Sequence, residues 1–140
     1  MIPVRWIAAL LIALLCGCSG ASAGPDWKAV IHDALDGRLD RSWSCSSLRA
    51  AVAHLPQDVA AYQTIPLLLD SATGRACDAA LARVERGLTR AEVIAVLGPP
   101  DRTPRCWLYS WPPDRSSAVD GARLCFSGDR VALVQTAVHL

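Results

Sequence analysis

Gly87-Leu88-Thr89-Arg90-Ala91-Glu92-Val93-Ile94-Ala95-Val96-Leu97-Gly98-Pro99-Pro100 is the most fully punctuated stretch of the chain. Thr89 followed three residues later by Glu92 has the form of a capping box, in which each side chain satisfies a backbone amide left open at a helix start. Leu88 and Val93 stand at the two positions of a hydrophobic staple. Gly98 with Pro99 and Pro100 stops the helix after barely two turns. Gly87 lets a preceding helix end and this one begin at an angle. The stretch predicts one short helix with sharp boundaries, from which the chain turns into a different kind of structure.

Downstream the hydrophobic period changes from helical to alternating. Cys106 to Trp111 places Trp107, Tyr109 and Trp111 on one face, and Ala122 to Phe126 places Leu124 and Phe126 on one face, so both read as strands. Gly128-Asp129 suits a two-residue hairpin turn with Gly first. That turn pairs Phe126 with Val131 and Leu124 with Leu133, and the third strand runs to about Val138. If Pro112 to Gly121 closes the first hairpin, the register that opposes Cys106 and Cys125 also opposes Trp107 and Leu124. One register thus keeps the apolar face intact and predicts a Cys106–Cys125 bridge on the opposite face.

Upstream the pattern is helical. Asp26 is placed to cap a helix with Trp27, Val30, Ile31, Ala34 and Leu35 on one stripe and Gly37 at its end. This stripe packs on the domain, with insertion of Trp27 and Ile31 into a headgroup layer as the alternative. A second helix is predicted from about Ser44 to Leu55, with Cys45, Leu48, Val52 and Leu55 on its stripe and Pro56 as its stop. Asp58 to Leu69 reads as helical with an interruption at Ile65-Pro66, and Ser71 to Gly74 reads as a turn. Cys77, Ala80, Leu81 and Val84 form a further stripe ending at Gly87. Cys45 and Cys77 both fall on apolar helix faces, and by elimination they form the second bridge. The elements define an α+β fold: N-terminal helices, then a short helix and a three-stranded antiparallel β-meander packed on helix.

The N-terminus directs the chain out of the cytoplasm. Arg5 precedes an apolar run from Trp6 to Leu15 that is too short to span a bilayer, and Leu15-Cys16-Gly17-Cys18 reads as a lipobox. Leu15 and Gly17 meet the requirements for cleavage before a lipidated Cys18, whereas bulky Leu15 disqualifies Cys16. Residues 1–17 are therefore expected to be a lipoprotein signal peptide, 18–25 a lipidated tether, and 26–140 one domain with a single core. The rival readings are secretion with a cut after Ala23 and a retained anchor. Several acyl chains make anchoring effectively permanent. Aspartate after the lipidated cysteine is an inner-membrane retention signal, so Ser19 favours the periplasmic face of the outer membrane.

Loss of Arg5 from the 14 basic residues brings them level with the 13 acidic ones, and no basic run occurs, which argues against a nucleic-acid partner. Four cysteines remain beyond Cys16 and Cys18, an even number that suits two disulfides in an oxidising compartment. No C-x-x-C pair and no histidine at ligand spacing supports a metal site. His32, His54 and His139 have no nucleophile or carboxylate at motif spacing, and no catalytic motif occurs, so no enzyme and no cofactor is expected. Asp101, Arg102 and Arg105 cluster at the helix-to-strand turn, where a partner could dock.

The G-L-T capping stretch with L-G-P-P, the strand Trp107-Leu108-Tyr109-Ser110 and the hairpin Phe126-Ser127-Gly128-Asp129-Arg130-Val131 together resemble the SmpA/OmlA (BamE-like) family of outer-membrane lipoproteins. The resemblance covers roughly residues 84–138. The hairpin departs from it by reading Gly-Asp for Asp-Gly, and the cysteines and the region from Cys45 to Arg86 have no counterpart in the family pattern. The resemblance implies a non-enzymatic scaffold held to the membrane by a lipid anchor, supporting outer-membrane protein assembly, with envelope proteins, β-barrel assembly components among them, as partners. Such domains also resemble the repeat of β-lactamase-inhibitor proteins. An inhibitor or protein-binding module is the alternative, and exposure of the aromatic strand face would favour it.

Overall fold

The computed structural model describes residues 24–112 and 121–137. The signal segment, Cys18, the tether as far as residue 23, most of the loop after Pro112, and His139 lie outside the described residues.

Helix α1 (Trp27–Ala34) starts where Asp26 accepts a hydrogen bond from the Ala29 N–H. It buries Val30, Ile31 and Ala34, while Leu35, expected on the same stripe, is exposed. Helix α2 (Cys45–Ala53) is capped by Ser44, whose hydroxyl accepts from the Ser47 N–H. Its buried face is Cys45, Ser47, Leu48 and Ala51, so Val52 points outward and Leu55 lies beyond the helix end.

A one-turn helix α3 (Gln57–Ala60) leads into α4 (Thr64–Leu81), which corrects two expectations. Neither Ile65-Pro66 nor Ser71 to Gly74 interrupts it. Pro66 is the third residue of α4, where a backbone N–H has no partner within the helix, so proline removes nothing. Thr73 is buried and turns its hydroxyl back onto the Leu69 carbonyl at 2.7 Å, which satisfies it inside the helix. Gly74 is buried beside it. Propensity for a turn thus yields to tertiary packing of the stripe Ile65, Leu69, Thr73, Cys77 and Ala80. The helix ends at Leu81, earlier than Gly87, and Val84 is buried from the turn that follows.

Helix α5 (Arg90–Leu97) has its capping box: Glu92 accepts from the Thr89 N–H at 2.7 Å, and the Thr89 hydroxyl accepts from the Glu92 N–H at 3.3 Å. Leu88 and Val93 pack in one cluster, as a staple requires. Strands β1 (Trp107–Ser110), β2 (Gly121–Ser127) and β3 (Arg130–Ala137) form an antiparallel sheet in the order β1-β2-β3. Trp107 opposes Leu124 and Phe126 opposes Val131, as the alternation demands. Leu124 opposes Val134 and not Leu133, because a bulge between Cys125 and Phe126 shifts the register by one residue.

Both disulfides form the expected pairs: Cys45–Cys77 with Cα atoms 4.7 Å apart, and Cys106–Cys125 at 4.3 Å. The buried side chains divide into two clusters where one core was expected. Val30, Ile31, Ala34, Leu48, Ala51, Ile65 and Leu69 form a core between α1, α2 and α4. Val93, Leu97, Tyr109, Trp111, Leu124 and Val131 form a second core between helix and sheet. The Cys45–Cys77 bridge belongs to the second cluster, so α2 and α4 run through both and the bridge staples them where the cores meet.

Candidate functional site

A cleft of about 570 Å³ opens between the start of α1, the outer face of α2, the loop after α5 and the end of β1. Its walls are apolar: Trp27, Val52 and Ala53 on one side, and Pro99, Pro100, Trp111 and Pro112 on the other. Val52 is exposed because it lines this cleft and not the core. His54 stacks on Trp27, with ring centroids 4.6 Å apart, and its Nδ1 lies 2.8 Å from the Ala50 carbonyl, to which it donates.

The polar end of the cleft is built around Arg49. Its guanidinium donates to the carbonyls of Leu97 and Pro99 at 2.6 and 2.9 Å and to Asp101 at 2.8 Å, and it lies over the Tyr109 ring, 5.0 Å from the centroid. The other Asp101 oxygen accepts from the Ser110 N–H and hydroxyl. Gly98, at φ 80°, approaches Ser46 of α2 so closely that a Cβ would lie 3.3 Å from the Ser46 Cβ. The Tyr109 hydroxyl donates to the Gly98 carbonyl, and burial pushes that hydroxyl far above its ordinary pKa. Trp111 Nε1 donates to Asp78 of α4. The polar groups of the Arg49 network are therefore spent on other protein groups, and what the cleft offers a ligand is chiefly apolar surface.

The three sequence-selected residues of the turn part company here. Asp101 is drawn into the Arg49 network and holds the loop. Arg102 and Arg105 are exposed, and Arg102 contributes only its backbone, which pairs with Leu108. Among the described residues neither guanidinium has an ion-pair partner. Sequence reasoning passed over Arg49 because a lone arginine on a helix reads as a solvated side chain; its partners come from loops some 50 residues downstream. His32 and His54 are exposed, and His54 lines the cleft. Among the described residues no three His, Cys, Asp or Glu side chains gather as a metal site would require. The carboxylates with shifted pKa values all lie outside the cleft: Asp33, lowered chiefly by the Trp43 indole; Glu92, lowered by the Thr89 amide and hydroxyl; and Asp70, raised by burial.

Comparison of the chain with protein-family models, with curated proteins and with solved structures finds no match.

Proposed function

We propose that the protein is a non-enzymatic lipoprotein of the SmpA/OmlA (BamE-like) kind, anchored through Cys18 at the periplasmic face of the outer membrane, where it acts as a scaffold for envelope protein assembly. The observation that carries this reading is the use made of the aromatic strand. Of the three rings on its face, Tyr109 and Trp111 are 0% and 4% exposed, packed against helices and hydrogen-bonded to Gly98 and Asp78, while Trp107 is half-buried against Phe126. An inhibitor that grips an enzyme with its sheet face needs those rings on the surface, so their burial favours the scaffold over the inhibitor module. Accessible to a partner are the apolar cleft and, on the chain just after Asp101 of its wall, the exposed Arg102 and Arg105. Apolar ground with a charged border is how a protein partner is usually met.

Crosslinking and pull-down of the full chain from intact membranes tests the reading. Envelope proteins should be recovered with the parent chain, and Cys18→Ala should lose both fatty-acid labelling and membrane association. Continued labelling of that variant would refute the anchor. A turnover activity that required His32 or His54, at unchanged stability, would refute the scaffold.

A further inference from the structure

The two edges of the sheet are treated differently. The outer edge of β1 is closed: the Asp101 N–H donates to the Leu108 carbonyl at 2.9 Å, and the Leu108 N–H donates to the Arg102 carbonyl at 2.8 Å. The outer edge of β3 is closed only at its start, where the Gly87 N–H donates to the Val131 carbonyl and the Val131 N–H donates to the Leu88 carbonyl, both at 2.8 Å. Beyond Val131 no backbone group among the described residues bonds β3 on the side away from β2.

The alternation identifies the groups that this leaves. Leu108 bonds outward, so Trp107 and Tyr109 bond β2; their opposites Leu124 and Ala122 face β1, and Arg123 and Cys125 face β3. Gln135 and Leu133, opposite Arg123 and Cys125, therefore bond inward, and Val134 and Thr136 turn their N–H and C=O groups outward. Natural sheets blunt such an edge with lysine, proline, inward charges or cover. Val131-Ala132-Leu133-Val134-Gln135-Thr136-Ala137 contains no charge and no proline.

From this edge we infer that β3 pairs with β3 of a second copy, antiparallel across a two-fold axis at Gln135. That register bonds Val134 of one copy to Thr136 of the other on both sides of the axis, and it stops before Val131, whose groups are taken. The uncharged stretch from Val131 to Ala137 meets its own copy without repulsion, and one open edge per sheet, among the described residues, gives a closed pair and not a fibre. The few residues paired on each side are fewer than a stable interface uses, so the association is weak and concentration-dependent.

At the axis Gln135 faces Gln135 as a non-hydrogen-bonded pair, with Cα atoms about 4.5 Å apart, a spacing a disulfide accepts. The full chain carrying Gln135→Cys, exported to an oxidising compartment, should give a reductant-sensitive species of twice the monomer mass. Peptide mapping should show the introduced thiols of the two copies joined to each other. Adding Thr136→Pro removes an outward N–H that the monomer does not use and should reduce that species at least tenfold, with the melting temperature nearly retained. Thr136→Lys, on an exposed side chain, should make the sedimentation of the parent chain monomeric even if the proline variant fails to fold. No dimer band from a folded Gln135→Cys chain, a band indifferent to both Thr136 variants, or the introduced thiol joined to a different protein would overturn the pairing.

Discussion

Arg49 and Asp101 meet at 2.8 Å across 52 residues of sequence, with the arginine side chain 12% exposed. Through this pair α2 holds the end of α5, the loop after it and the end of β1 at the same time.

Loss of Arg49 should therefore cost more than loss of a surface ion pair. Arg49→Ala leaves the part-buried Leu97 carbonyl without its donor, and an unsatisfied buried acceptor costs about 1–3 kcal/mol. Urea denaturation should show the midpoint falling for Arg49→Ala by more than for Asp101→Ala, since Asp101 is the more exposed partner. Equal, negligible losses for both would show that the network is incidental.

The capping box gives a prediction with a pH signature. Thr89→Ala should cost about 1 kcal/mol, and any functional loss should follow the loss of folded protein. Hydrogen bonds from Thr89 hold the Glu92 carboxyl below its ordinary value of 4.5. A depressed folded pKa contributes stability that is complete above the unfolded value and is lost as the pH falls through the folded one. Glu92→Gln should flatten the decline in melting temperature below the ordinary carboxylate value, measured by circular dichroism across an acid series; an unchanged acid limb would remove Glu92 from the account.

Gly121 is constrained by contact, not by backbone angle. A Cβ there would collide with the Tyr109 carbonyl oxygen across the β1–β2 pair. Gly121→Ala should destabilise by about 1–3 kcal/mol, the usual range for overpacking, whereas Gly24→Ala, with open space around it, should be neutral.

The two disulfides should differ in access. Cys45 and Cys77 are buried, while Cys106 and Cys125 are half-buried, so graded reduction followed by alkylation should label Cys106 and Cys125 first. Replacing Cys45 and Cys77 together by Ala should cost on the order of 3 kcal/mol, because the bridge closes a long loop and staples two helices.

Arg102→Glu and Arg105→Glu should leave stability within about 0.5 kcal/mol of the parent, as exposed substitutions do. Recovery of crosslinked envelope partners should fall in the same variants. Unchanged recovery would remove the arginine rim from the docking surface.

The local signals in the sequence were sufficient wherever short-range chemistry decides structure. Thr89 and Glu92 lie three residues apart, so their capping box is legible without any knowledge of the rest of the chain. The period-two pattern around Trp107 and Leu124 determined a sheet register, and with it the Cys106–Cys125 bridge and then Cys45–Cys77. Tertiary structure decided whatever depends on groups distant in sequence. Ser71 to Gly74 is helical because packing around Thr73 outweighs the turn preference of those residues. The bulge after Cys125 moves Leu124 opposite Val134, since strand alternation cannot announce an extra residue on one side. Arg49 becomes a central tie and Asp101 a structural carboxylate only because the loop after α5 folds back on α2. The cleft exists for the same reason: its walls come from five segments that meet in space, and no one segment carries its pattern.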